Sequence, residues 1–212
     1  MVTMPATPSR ADRDGRDSRW DTHRSARRGE LVDATLSAIR ATGGSPSMDQ
    51  IAEAANTSKP VLYRYFGDQA GLFAAVAARI DGVFLRRLEV AASGIDEPRD
   101  QLHALIMEYL ELIEADPAIY RFLEHQSVLD KSNVEYPSVS TVDQATRFFA
   151  DVMGSGDVGR SGSLLLTGVV SMLRATADEW IGTTPIEARV NRIELAADLT
   201  TLLWSGLPAV VR

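Results

Sequence analysis

The chain has 212 residues, of which 45% are hydrophobic and 24% charged, with no cysteine and a net charge of −7. That length can bury a substantial core in one domain or two small ones, and the lack of cysteine removes disulfide frameworks, thiolate nucleophiles, iron–sulfur clusters and cysteine-ligated zinc. No apolar run approaches a membrane span, and residues 1–20 lack the apolar core of a signal peptide, so the expectation is a soluble, cytoplasmic protein.

The charge is unevenly spread. Residues 1–79 balance at +2 and residues 80–212 at −9, the pattern of a small module tolerant of polyanions joined to a larger acidic body. Residues 1–20 hold few large apolar side chains besides Trp20 and are predicted to be a flexible tail, with Arg10, Arg13, Arg16 and Arg19 at intervals of three.

A helix is predicted over residues 22–42, because Leu31, Ala34, Thr35, Ala38, Ile39 and Thr42 share one face of a 3.6-residue period. Gly43-Gly44 and Pro46 end it. Ser47-Met48-Asp49-Gln50 has the form of a capping box, and Met48, Ile51, Ala52 and Ala55 form a short apolar face behind it. Asn56 stands where a left-handed residue would reverse the chain. Ser58 can cap a third helix with Pro60 in its first turn, carrying Val61, Leu62 and Phe66 and ending near Gly67-Asp68. Helix, tight turn and helix over some twenty residues is a helix-turn-helix arrangement.

The remainder also reads as helical. Phe73, Val76, Ala77, Ile80, Phe84 and Leu88 form one stripe; Leu102, Leu105, Ile106, Tyr109, Leu110 and Ile113 form another. Glu97-Pro98, Asp116-Pro117 and Thr184-Pro185 each have the form of a cap followed by proline, and residues 184–187 repeat the capping-box spelling. With no alternating strand pattern and no internal repeat, the predicted fold class is all-α. It divides into residues 1–20 as a tail, 21–68 as a helix-turn-helix domain and 69–212 as a larger helical domain.

The run Ile51-Ala52-Glu53-Ala54-Ala55-Asn56-Thr57-Ser58-Lys59-Pro60-Val61-Leu62-Tyr63-Arg64-Tyr65-Phe66-Gly67-Asp68-Gln69-Ala70-Gly71-Leu72 closely resembles the DNA-binding signature of the TetR family of transcriptional regulators. A helix of this width fits the major groove, where all four base pairs are distinguishable. Its N-terminal residues reach base edges while its flanks hold phosphates. Ser58, Lys59, Val61 and Arg64 are the expected reading face: Lys59 or Arg64 for guanine, the Val61 methyls for a thymine methyl. Leu62 and Phe66 would point inward. Tyr63 and Tyr65 carry hydroxyls suited to phosphate oxygens, the alternative being that they are packing aromatics; Ser47 and Thr57 are further phosphate candidates. The sequence departs from the family at Gln69, where lysine is usual, and at Tyr65, where histidine is frequent. The first change should weaken affinity or salt dependence without abolishing binding. The arginines of residues 1–20 would suit a minor-groove arm, or be a solvated, self-neutralising segment.

The resemblance further implies a homodimer, usually a repressor, binding a double-stranded DNA operator. A small effector in the C-terminal domain would change the spacing of the two heads. Near the C-terminus, Ile193, Ala196, Ala197 and Thr200 mark one helix face and Leu195, Leu199, Leu202 and Leu203 another, so one face can cover the helix's own core and the other a partner. Leu165, Val169, Met172, Leu173 and Thr176 would supply the neighbouring helix. Heads roughly 34–36 Å apart would then read a palindrome. Met107, Tyr109, Tyr120 and Phe122, with Phe148, Phe149, Met172 and Trp180, are candidates to line an effector pocket; Met153 is a further one, and any of them can equally be plain core. Glu108, Glu111 and Glu124 would suit a cation there, or Arg121, Arg147 and Arg174 an anion.

Other signals are weaker. Residues 154–159 spell a dinucleotide fingerprint without the strand it requires. His23, His103 and His125 are far apart, and Ser161 lacks the setting of a hydrolase nucleophile. No catalytic group, metal site or cofactor is expected, and no membrane partner. The competing reading is a helical interaction protein whose degenerate head no longer binds DNA.

Overall fold

A computed structural model of the chain describes the backbone of residues 10–130 and 159–206 and the side chains of residues 23–124 and 160–205. Eight α-helices lie among the described residues, with no strand among them: α1 (Arg10–Thr42), α2 (Met48–Ala54), α3 (Lys59–Phe66), α4 (Gln69–Ala92), α5 (Pro98–Ala115), α6 (Pro117–Asp130), α7 (Gly159–Gly182) and α8 (Arg192–Gly206). The chain forms two compact units. The first takes residues up to Ala38 and Pro46–Val76; the second takes Ile39–Ser45 and everything from Ala77 onward.

In the first unit, α1 buries Leu31, Thr35 and Ala38 of the stripe the periodicity marks, with Ala34 half-buried; Val32, outside that stripe, is buried as well. Helix α1 begins at Arg10, well before that stripe and before residue 22, where the helix was expected to start. Periodicity finds only the part of a helix that has a face to bury, and the segment from Arg10 is polar. The side chains of Arg10, Arg13, Arg16 and Arg19 lie outside the described residues.

The second unit is built on α5. Leu102, Leu105, Ile106, Leu110 and Ile113 are all buried along one side of it, as the spacing predicts, and α8 packs on α5 more extensively than any other helix does. Asp116 starts α6 by accepting from the Ile119 N–H at 3.3 Å, and its other carboxylate oxygen takes Arg40 Nε at 2.7 Å. Gly44, at φ +126°, is held against Ala118 O and Arg121, where a Cβ would come within 3.2 Å of both.

Two expectations are revised. Thr184-Pro185 begins no α-helix: only a 3-10 turn over Ile186–Ala188 follows, with Pro185 at its N-cap and no side-chain cap. Ile186 is exposed, so there is no apolar face for a longer helix to bury. The helix starts instead after Asn191, whose Oδ1 accepts from the Ile193 N–H at 2.8 Å. Second, the buried stripe of α8 is Ala196, Leu199, Thr200 and Leu203, drawn from both expected faces, while Ile193 and Leu202 are exposed. Spacing at i, i+3, i+4 and i+7 decides which residues go inward. The Thr200 hydroxyl donates to Ala196 O at 2.6 Å and lies 3.1 Å from His103 Nδ1, which accounts for a buried polar group.

A charge ladder crosses this unit. Arg87 of α4 reaches Glu108 and Glu111 of α5, and Arg192 of α8 reaches Glu111 and Glu114. The pairs are partly exposed, so they align helices more than they stabilise them. Asp81 of α4 is more buried than its charge favours, and burial pushes its pKa from 3.8 up to about 6. Because the folded value exceeds the unfolded one, stability is highest when the group is protonated in both states and falls as pH rises from about 3.8 to 6. Asp81→Asn should therefore raise the thermal midpoint, by an amount that grows across that window and levels off above pH 6. Melting curves followed by circular dichroism across that range check this.

Candidate nucleic-acid interface

Helix α2 opens on the expected capping box: Ser47 Oγ accepts from the Gln50 N–H at 3.3 Å, and Gln50 Oε1 accepts from the Ser47 N–H at 2.8 Å. After α2, Asn56 takes the left-handed conformation at φ 45°, and the Thr57 N–H returns to Ala52 O at 2.9 Å. This is the reversal the sequence predicts. Ser58 sits at the N-cap of α3, but its side chain makes no capping bond. The reason lies in Pro60, which lacks an N–H at the second helical position, while the Val61 N–H already donates to Ser58 O at 3.0 Å. The Ser58 hydroxyl is thereby left exposed at the start of α3.

Helix α3 is anchored by Leu62, which is completely buried, as are Ile51 of α2 and Leu72 of α4. With Leu62 inside, Pro60, Tyr63 and Arg64 face solvent, Tyr63 being 40% exposed. Lys59, Val61 and Tyr65 are half-buried on the flanks of that arc, and Phe66 is half-buried at its end. Ser47 and Gln69 are exposed and Thr57 half-buried. The Arg64 guanidinium lies 5.6 Å from the Tyr65 ring centre, and Arg28 of α1 lies 4.7 Å from the Phe66 ring centre.

Three features escaped the sequence reading. Lys59 Nζ is held by Asp49 Oδ1 at 2.9 Å; the hydrogen bond and the charge of Asp49 keep this lysine above the ordinary lysine range. The two lie in the first turns of α2 and α3, which the turn brings together, so a ten-residue offset was the only available signal. Arg28 had none. Gly71 lies within the signature for a steric reason: a Cβ there would come 2.2 Å from Phe66 O. Asp68 completes this junction by accepting from the Gly71 N–H at 2.7 Å, which starts α4.

In the second unit, Tyr120 of α6 and Trp180 of α7 are buried, Met107, Tyr109 and Met172 are half-buried around the same core, and Phe122 of α6 is buried as well. The Trp180 indole donates to Val190 O at 2.8 Å. Arg174 of α7 donates from Nε and Nη2 to Glu124 Oε1 of α6, at 3.1 and 2.6 Å. Burial works against the Arg174 charge, and the bonds to Glu124 more than restore it. Burial also pushes the phenols of Tyr109 and Tyr120 up, keeping both neutral. The Tyr120 hydroxyl donates to Arg174 O at 3.4 Å; the buried Tyr109 hydroxyl beside it makes no hydrogen bond of acceptable geometry. Glu108 and Glu111 are engaged by arginine, and the described residues hold no cluster able to bind a metal ion. Phe148, Phe149, Met153, Arg147, His125 and residues 154–158 lie outside the described side chains. No helix among the described residues is long and apolar enough to cross a membrane.

A short helix presented over a capped, tightly turned partner defines a helix-turn-helix DNA-binding protein. Residues 31–76 match the family described as bacterial regulatory proteins, tetR family, and residues 87–211 match the tetracyclin repressor-like C-terminal domain. An uncharacterized HTH-type transcriptional regulator of Mycobacterium tuberculosis is 35% identical over 93% of this chain and 84% of its own length. The HTH-type transcriptional activator FasR of Mycolicibacterium smegmatis is 24% identical over 88% and 85%. The crystal structure of a TetR-like transcriptional regulator from Rhodococcus sp. RHA1 superposes with a TM-score of 0.60 at 26% identity, covering 86% of this chain and 96% of that one. The chain belongs to the TetR family of transcriptional regulators, whose members are not enzymes.

The Gly71 contact generates a direct expectation. Gly71→Ala must displace the Phe66 carbonyl at the end of α3 and should cost about 1–3 kcal/mol of stability, as overpacking does. Urea unfolding should show it, and DNA affinity should fall with it.

Proposed function

We propose that the protein is a cytoplasmic homodimeric repressor that a small, largely apolar molecule releases from a palindromic operator. The observation that carries the DNA-binding part is the rotation of α3: with Leu62 fully buried, Tyr63 and Arg64 are turned outward and Lys59 stands on their flank. In this reading Lys59 and Arg64 take guanine, Val61 takes a thymine methyl and Ser58 adds a hydroxyl near the base edges. Tyr63, Tyr65, Thr57, Ser47 and Gln69 hold phosphates and set the register. In this reading residues 21–68 are the DNA-binding domain and 69–212 the effector and dimer domain, preceded by a tail over residues 1–20 whose part from Arg10 is the start of α1.

The homodimer is supported by exposed apolar side chains on the two C-terminal helices: Leu164 and Leu165 of α7, Ile193 and Leu202 of α8. Large apolar side chains left exposed on helices gain stability if a second copy covers them. An effector is supported by Tyr109, whose buried hydroxyl lacks a good partner amid Met107, Met172 and Tyr120. A ligand acceptor such as a carbonyl would satisfy it, and the surrounding apolar side chains suit the rest of a hydrophobic molecule.

Gel-shift titration against duplexes from the DNA flanking its own gene tests the reading. A salt-sensitive, sequence-specific shift by a dimer supports it; no such shift favours a head that has lost DNA binding. Within a positive result, Tyr63→Phe should weaken binding to all sequences alike, while Lys59→Ala should also relax preference at one base position, worth about 1–3 kcal/mol. Equal behaviour of the two variants in a base-substitution series would contradict this division of roles.

A further inference from the structure

We propose that Arg28 of α1 is a DNA-backbone contact, held ready for a phosphate on the ring of Phe66. The inference rests on the reading of α3 as the helix that enters DNA. Among the described side chains, the first unit carries five lysines and arginines: Arg24, Arg27, Arg28, Lys59 and Arg64. Two are committed to carboxylates, Arg27 to Glu30 at 2.6 Å and Lys59 to Asp49 at 2.9 Å. Arg28 is held by a ring instead. Its guanidinium lies 4.7 Å from the centre of the Phe66 ring; the arginine is exposed and the ring half-buried.

The kind of partner decides what an arginine can still do. A cation bound to a carboxylate must give that oxyanion up before it takes a phosphate. A ring face attracts the charge without claiming the N–H groups as an acceptor does, so the planar fork stays available to an oxyanion, and the side chain has already lost part of its freedom. The position also fits. Phe66 stands three residues after Tyr63 in α3, one turn further along the adjoining edge. Arg28 therefore continues the Tyr63 edge of the exposed arc beyond the end of α3. Residues 67–71, which join α3 to α4, carry no cation, and their one carboxylate, Asp68, accepts from the Gly71 N–H at 2.7 Å. The positive charge at this end of the reading helix thus comes from α1. It adds affinity for any duplex and reads no base.

Three proteins test this: wild type, Arg28→Met, whose thioether can still cover the Phe66 ring, and Arg28→Lys. Each is titrated across a salt series against a random-sequence duplex and a duplex that the wild type enriches from a randomised pool. Each is also mapped on the enriched duplex by phosphate ethylation interference. Arg28→Met should weaken binding to both duplexes by the same factor, roughly threefold to tenfold for two heads, the scale of two exposed charge contacts. It should flatten the salt dependence by about 0.9 per head, or about 1.8 for a dimer. In each half-site, one phosphate whose ethylation blocks the wild type should become tolerant of it. Arg28→Lys, which keeps the charge, should keep the wild-type slope. An unchanged slope in Arg28→Met, or an interference map that matches the wild type, would overturn the proposal. So would a loss of binding shared equally by Arg28→Lys and accompanied by a lower melting midpoint, since that marks a strut of the fold and not a contact. If the wild type enriches no duplex, the underlying reading of DNA binding has failed instead.

Discussion

The burial of Leu62 is the constraint on which the DNA-reading surface depends. A helix of eight residues is too short to hold itself in water, so α3 exists because its apolar side is covered. Covering that side also fixes its rotation. With Leu62 and Ile51 sealed in the same unit, the side chains of Tyr63 and Arg64 have one direction left. The Gly71 contact with Phe66 O seals the far end, and the Asn56 reversal sets the near one. Stability and function are therefore coupled here through geometry: changes that loosen this packing also blur what α3 presents.

The second unit works from a different balance. Its excess of acidic residues is partly answered by arginines that bridge helices, Arg87 from α4 and Arg192 from α8 onto the glutamates of α5, and Arg174 of α7 onto Glu124 of α6. Net negative charge on this part of the chain discourages it from lying on DNA, while the near-neutral first part is left to do so. The apolar core beneath is continuous from α4 through α8, and the Tyr109 hydroxyl packed against it is one of several buried polar atoms among the described residues that make no hydrogen bond.

Much of this was legible beforehand, for identifiable reasons. The buried stripe of α5, the capping box at Ser47 and the left-handed Asn56 are local, each readable from a few neighbouring residues. The all-α class followed from helical spacing throughout. What stayed hidden needs distance or the absence of a pattern: the polar start of α1 has no face to repeat, and the Asp49–Lys59 pair forms only once a turn brings two helix starts together. Thr184-Pro185 misled because a cap spelling is not sufficient; no buried stripe followed it, whereas Asn191 preceded one. The idle Ser58 side chain has a local cause too, since the same Pro60 that favours a helix start removes an N–H that a cap would bond.

The central claim is that α3 occupies the major groove, once for each half of a dimer. Dimethyl sulfate footprinting reads that directly, since it methylates guanine N7 in the major groove. On a duplex that the protein selects from a random pool, the account predicts two protected patches centred about 10 base pairs apart on one side of the helix. Both should vanish together when the protein is diluted below dimerisation. Protection confined to a single patch, or N7 left fully reactive beneath a bound protein, would contradict it.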